Sequence, residues 1–388
     1  MDNRTVSAVR CLGYSENEIR DSFDRLLEPV GGLDFVRPGM RIAVKVNLVS
    51  AMRPEKAATT HPAVVRELCR RIAERGATAV IGDSPGGPFT KTHIKAVLSA
   101  TGMTGLSDVA EMNEDLSVGY CEGFDGAKVL KGFEFTSWLK DADAVINVCK
   151  LKTHGMMSMS AAVKNLFGAV PGTVKPEYHY RFPDPKDFAD MLVDLNEFIR
   201  PILSIADAIT GMEGNGPTMG TPRDIGILAA SRSQYDLDTF LLSVLGLDPS
   251  AVPTVGAATD RGLGSLPDDI TVVGDGAGTV VPDFENIRTA KDIESFGGLV
   301  GISGKLFKKI TFSALASKPN VKKAECVGCE KCADICPAHA IDMKKKKPVI
   351  DRKACIRCFC CQEFCPKGAM KVKRPLPARV LAKKATKR

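Results

Sequence analysis

Nowhere in the 388 residues does an apolar run reach the length of a membrane-spanning helix, and the first ten, MDNRTVSAVR, lack the charged-then-apolar plan of a secretory leader. Both absences predict a cytoplasmic protein without a membrane span. No glycine pattern reads G-x-G-x-x-G or G-x-x-x-x-G-K-[ST], so neither a dinucleotide fingerprint nor a P-loop is present, and no nicotinamide cofactor is expected. The formal charge of +7 comes without a basic helix or an aromatic-interleaved basic patch, so nucleic acid is not an expected partner. Part of that excess would also be cancelled by metal-bound thiolates. The basic runs, Lys344 to Lys347 and the tail from Lys383, read as solvated surface. With 44% hydrophobic and 26% charged residues the chain is globular, and its length suggests two or three domains.

Cysteine is abundant and unevenly spread. Of thirteen, nine lie between Cys326 and Cys365 and four are scattered, which is a metal-ligand rhythm rather than a disulfide framework and fits a reducing compartment. Two runs match C-x2-C-x2-C-x3-C-P: Cys326, Cys329, Cys332, Cys336 with Pro337, and Cys355, Cys358, Cys361, Cys365 with Pro366. Three cysteines at two-residue gaps wrap one face of a cubane, and the fourth, beyond a turn, ligates the other cluster. The spacing therefore assigns one 4Fe-4S cluster to Cys326, Cys329, Cys332 and Cys365, and a second to Cys355, Cys358, Cys361 and Cys336. Zinc, the competing soft-ligand ion, uses two pairs separated by a longer loop, which these runs are not. Cys360 is an extra thiol. Only Cys361 keeps the required gap, so Cys360 reads as a buried structural cysteine. This segment, residues 320 to 372, resembles the bacterial-type ferredoxins with two 4Fe-4S clusters. The resemblance implies low-potential, one-electron transfer.

From residue 40 to about 275, β-branched runs alternate with helix-like stretches, the pattern of an α/β fold: a Rossmann-like, mainly parallel sheet with helices on both faces. Expected strands are RIAVKVNLV, TAVIGD, ADAVINVCK, PILSIADAI, RDIGILAAS and DITVVGD. Expected helices are PAVVRELCRRIAERG, SMSAAVKNLFG, KDFADMLVDLNEFI and QYDLDTFLLSVLG. GMEGNGPTMGTP, from Gly211 to Pro222, is expected to be a loop because of its glycines and prolines. The domain plan is residues 1–320 as the α/β domain, 321–375 as a small α+β two-cluster domain and 376–388 as a basic tail.

Ligands of open α/β sheets bind beyond the carboxyl ends of the strands. The candidate site is therefore Lys45 and Asn47, His61, Asp83, Lys150, Lys152 and His154, Asp207 and Glu213, with Lys164 and Asn165 on a helix after the KLKTH loop. Ser231 and Asp275 are expected on the same edge. Lysine and histidine there suit an anionic group or proton donation; the carboxylates suit a cation or proton acceptance. Cys149 reads as a buried strand cysteine more readily than as a reactive thiol.

KVNLV, THP, GDSPGG, KLKTH, VKNLFG and GMEGNGPTMG together resemble the domain-of-unknown-function-362 family, in which such an α/β domain precedes a two-cluster ferredoxin module. The resemblance implies this architecture and its cluster content, and brings no substrate. Three functions fit the sequence. The first is a reductase passing electrons to a small molecule held by the α/β domain. The second is a non-catalytic electron relay docked on a partner oxidoreductase, and the third a redox or iron sensor. All three imply an electron donor or acceptor protein.

Overall fold

The alternating runs assemble into one sheet of nine strands among the residues that the computed structural model describes, 4–172, 174–286 and 317–373. The basic tail of 376–388 lies outside them. In chain order the strands of the α/β region are β1 (Thr5–Arg10), β2 (Arg41–Lys45), β3 (Thr78–Gly82), β4 (Glu111–Met112), β5 (Val118–Cys121), β6 (Phe133–Thr136), β7 (Ala144–His154), β8 (Ser158–Ser160), β9 (Leu203–Glu213), β10 (Thr221–Ser231) and β11 (Thr271–Val273). Its helices are α1 (Glu16–Leu27), α2 (Pro62–Ala73), α3 (Lys91–Ala100), α4 (Trp138–Asp141), α5 (Ala162–Asn165), α6 (Lys175–Arg181), α7 (Pro185–Ile199), α8 (Gln234–Val244) and α9 (Pro253–Asp260).

Local chemistry sets the helix starts. Pro62 opens α2 behind the N-cap His61, whose ring accepts from the Ala63 amide, and Pro185 opens α7 behind Asp184, which caps Lys186. The sheet order is β11-β1-β10-β9-β7-β2-β3-β4, with β8 paired to β7. Strands β9, β7, β2, β3 and β4 run parallel, so their carboxyl ends share one edge. Successive residues face opposite layers. Ile42, Val44, Ile146 and Val148 pack with α1, α2 and α3, whereas Ala43 and Val145 pack with Trp138 and Leu139 of α4. On that second face Cys149, Ala206 and Ala229 meet α8. The α/β fold with helices on both faces is thus the observed architecture.

Four expectations need correcting. KLKTH is not a loop: it continues β7 to His154, because Lys152, Thr153 and His154 pair with β8. SMSAAVKNLFG is not one helix but β8, the short α5 and a 3-10 turn over Leu166–Ala169. The Gly211–Pro222 loop shrinks to 214–220, since β9 and β10 form a hairpin that takes in Gly211, Met212, Thr221 and Pro222. Because β10 returns antiparallel, Ser231 pairs with Ser204 at the amino end of β9 and lies at the opposite edge from the site. The first forty residues, which carry no clear pattern, supply β1, wedged between β10 and β11.

The cysteine-rich segment adds β12 (Lys318–Val321), α10 (Lys331–Asp334), β13 (Ile341–Lys344), β14 (Lys347–Ile350), α11 (Cys360–Glu363) and β15 (Met370–Lys373). Strand β12, ahead of the first cysteine run, pairs with β15, behind the second, so the two halves close on each other.

Candidate functional site

Register brings the polar strand ends together. Lys45 lies opposite both Gly82 and Asn147, and Lys150 lies opposite Asp207. Lys45 is wholly buried, and its ammonium sits 3.0 Å from Asp83 Oδ1 while donating to Asn165 Oδ1 at 3.2 Å. Asn47 donates to the same Asn165 oxygen at 2.9 Å and accepts from the Lys152 ammonium at 2.6 Å. Lys45, Asn47, Asp83, Lys152 and Asn165 therefore form one network. Gly168 has to be glycine, because a Cβ there would lie 2.0 Å from Asp83 Oδ1. Lys152 also donates to the Ala58 carbonyl. Burial, reinforced by the Lys164 charge, pushes Lys152 down to about 7. Burial lowers Lys45 as well, against the pull of Asp83.

A second network surrounds Asp207. Its carboxylate lies 2.8 Å from the Lys150 ammonium, accepts from the Tyr14 hydroxyl at 3.0 Å, and accepts from the His61 amide at 2.9 Å. Tyr14 stacks on the His61 ring with centroids 3.6 Å apart. Burial pushes His61 down to about 4, Lys150 adding to it and Asp207 opposing. Cys149 is fully buried and burial raises its thiol well above the ordinary range, which leaves little thiolate.

The third group joins the two domains. His154 Nδ1 accepts from the amides of Met156 and Met157, so its proton sits on Nε2, 3.1 Å from Glu363 Oε1 at the end of α11. Burial, with Lys164 adding to it, pushes His154 down to about 4. Burial also opposes ionisation of Glu363, yet His154, Lys164 and His179 outweigh it and hold the carboxyl at about 2. His179 is likewise pushed down by burial, to about 3, so both imidazoles are neutral near pH 7; burial lowers Lys164 as well, against the pull of Glu363.

Other contacts seat α11 on the strand-end edge. Gln362 donates to the carbonyls of Asn215 and Gly216, Phe364 packs on Gly86, and Phe359 packs on Gly155. Two expected residues stand apart from these networks: Glu213 turns to the Glu285 amide and Arg223, while Asp275, on the expected edge because β1 and β11 run parallel to β9, sits three strand positions from β9, accepting from the Arg10 amide and pairing with Arg25. Sequence reasoning missed Tyr14, Lys175, His179 and Glu363. Glu363 alone carried a signal, as an acid inside a cluster motif.

The cysteines wall two cavities. Cys326, Cys329, Cys332 and Cys365 line one, and Cys336, Cys355, Cys358 and Cys361 line the other. Each set takes three sulfurs from one run and one from the other. That exchange of the fourth sulfur between runs is the ligand pattern of a two-cluster iron-sulfur module. Cys360, buried, is not among the lining residues.

Comparison with known proteins agrees with both parts. Residues 42–243 match the family described as "Domain of unknown function (DUF362)", and residues 325–369 match the 4Fe-4S dicluster domain. A thylakoid-associated protein of Synechocystis sp. is 36% identical over 276 residues, which covers 69% of this chain and 83% of that protein. The solved lactate racemase apoprotein of Thermoanaerobacterium thermosaccharolyticum aligns with 61% of this chain and 57% of its own at 13% identity, with a TM-score of 0.38. No helix among the described residues is long and apolar enough to cross a membrane. The chain belongs to the domain-of-unknown-function-362 family and carries an iron-sulfur electron-transfer domain at its C-terminal end.

Proposed function

We propose that the protein is a cytoplasmic reductase in which electrons from two 4Fe-4S clusters reach a small molecule held at the strand-end edge of the α/β domain. The cluster ligands are Cys326, Cys329, Cys332 and Cys365 for one, and Cys355, Cys358, Cys361 and Cys336 for the other. When bound, such clusters supply electrons one at a time. The α/β domain is taken as residues 1–320 and the module as 321–375.

One observation carries this reading: the helix that bears Cys361 also bears the side chains that touch the site. Gln362 and Glu363 follow that cysteine directly and meet Gly216 and His154. Electrons leaving this half of the module arrive where Lys45, Asn47, Lys152, His154 and Lys164 converge. An acceptor gaining electrons also needs protons, and Lys152, pushed down to about 7, holds one that exchanges near neutral pH. The other half of the module turns outward, with Val327 60% exposed and Cys329 exposed, which gives a redox partner protein access.

The test uses the full chain, purified without oxygen, reduced with dithionite and mixed with panels of small organic acceptors while cluster absorbance is followed. At least one acceptor is expected to reoxidise the wild type about tenfold faster than Lys152→Met or Lys164→Met. A small dye that reacts at the outward half should reoxidise all three alike. If every acceptor treats the three proteins alike, the reductase reading is wrong.

A further inference from the structure

Around the end of α11 the α/β domain gathers more cations than anions. Lys45 is matched by Asp83 and Lys150 by Asp207. Lys152 and Lys175 have no carboxylate at ion-pair distance among the described residues; Lys175 donates instead to the carbonyls of Ser84 and Val170, each at 2.6 Å. Lys164 rests its ammonium over two aromatic rings, 5.0 Å from the centre of Phe167 and 5.9 Å from that of Phe188. His179 packs on the same two rings, stacked on Phe188 at 4.4 Å, and its Nδ1 has no partner among the described residues although only 3% of the residue is exposed.

The carboxylate that enters this group comes from the other domain. Glu363 Oε1 approaches His154 Nε2 to 3.1 Å, but the pair is not aligned as a hydrogen bond and neither atom has another partner among the described residues. His154 is 1% exposed, so its unused N–H points into protein rather than water. A buried polar group left unmatched is costly, and among the described residues one nitrogen of each imidazole lacks a partner while the Lys164 ammonium has ring faces in place of a carboxylate at ion-pair distance. The arrangement is that of an anion site whose present occupant is held by charge rather than by fit.

We propose that Lys164, His154 and His179 form a binding site for the carboxylate of a small substrate, and that Glu363 occupies it as an internal stand-in that the substrate displaces. The resident group is a carboxylate and one lysine faces it, with two imidazoles to complete the hydrogen bonding. A singly charged carboxylate matches that set. The inference deepens the reductase reading by naming its substrate class. It also gives the domain contact a second role, since the same α11 that brings the cluster ligand closes the site until an acid arrives.

Equilibrium titration of the anaerobic holoprotein with acetate, benzoate, their neutral amides and inorganic phosphate tests this without turnover. Glu363→Gln is expected to bind acetate or benzoate about tenfold tighter than the wild type, and the amides should bind neither protein. In that background Lys164→Met and His179→Phe should each weaken carboxylate binding about tenfold. Equal affinity in wild type and Glu363→Gln, or no binding by either, overturns the proposal, as does an amide that binds as well as its acid. Phosphate binding tighter than both carboxylates overturns the substrate class. Iron content and visible absorbance check that clusters are retained, and Glu363→Asp, which withdraws the carboxylate but keeps its charge, serves if the glutamine variant loses them. Loss in both variants overturns the stand-in role and makes Glu363 structural. Selective carboxylate binding without electron transfer to any acid would keep this site and sink the reductase reading alone.

Discussion

At Lys152 the cost of burial becomes a measurable proton. Among the described residues its ammonium has only the Asn47 and Ala58 oxygens as acceptors, and burial brings its pKa to about 7 from the ordinary value near 10.4. The folded-state pKa is depressed, so between these two values the folded chain holds fewer protons than the unfolded one. Stability from this group is complete above the unfolded value and is lost as pH falls toward about 7, by at most about 1.4 kcal/mol per pH unit. At about pH 8.5 unfolding should therefore take up close to one proton at this site. Lys152→Met removes it, and pH-stat denaturation of the two holoproteins is expected to differ by about one proton. Thiolates released from the clusters take up protons too, but equally in both proteins, so the difference isolates the lysine. No difference would mean that Lys152 is already charged and solvated.

Helix α11 carries the side chains that enter the α/β domain, while β15 adds the Val372 amide, which donates to Asn215 at 3.1 Å. The helix is a single turn, too short to be stable by itself, so its order comes from what it packs against. Gln362, fully buried, donates at 2.9 Å to the Asn215 carbonyl in the β9–β10 turn, and Phe364 lies against Gly86, where a Cβ would meet its ring at 2.8 Å. Gln362→Ala should free the turn at 214–220, lowering the protection of its amides by about 1–2 kcal/mol in hydrogen exchange. Clusters are expected to be retained, because neither Gln362 nor Phe364 lines a cysteine-walled cavity. Unchanged exchange would mean that the module and the turn are held by other contacts. The elements were legible from sequence where a period shows: α2, α7 and α8 carry apolar stripes and caps, and the parallel strands carry β-branched runs. The strand ends were legible too, since Lys45, Asp83, Lys150 and Asp207 are polar residues closing apolar strands. What escaped depended on pairing over distance. Nothing local tells that β10 returns antiparallel, which moved Ser231 to the other edge, or that β8 would extend β7 through KLKTH. Tyr14 meets Asp207 across 193 positions, and no local period announces such a contact.

At the scale of the whole molecule the two cysteine runs have different surroundings, and that asymmetry sets a direction for electrons. The second run is packed against the α/β domain through Phe359, Gln362 and Phe364. The first is bordered by the turn between β13 and β14, where Lys344, Lys345 and Lys346 are exposed. That turn is fixed to the first run: Lys347 donates to the Cys326 carbonyl at 2.6 Å, and a Cβ on Gly328 would lie 2.7 Å from the Lys346 carbonyl. A cluster held behind exposed lysines is matched in charge to an acidic one-electron carrier, and such attraction acts on the rate of encounter. Reduction of the holoprotein by an acidic carrier should therefore slow as salt rises from about 20 to about 200 mM, over which the screening length falls below about 10 Å. Lys344→Glu with Lys346→Glu should slow it about tenfold at the lower salt and make the rate rise with salt, because like charges now face each other. Reduction by an uncharged mediator should be the same in both proteins, since the substituted side chains are exposed and line neither cavity. If the acidic carrier reduces the doubly substituted protein as fast as the wild type, electrons enter by some other face, and the lysine turn is solvated surface only.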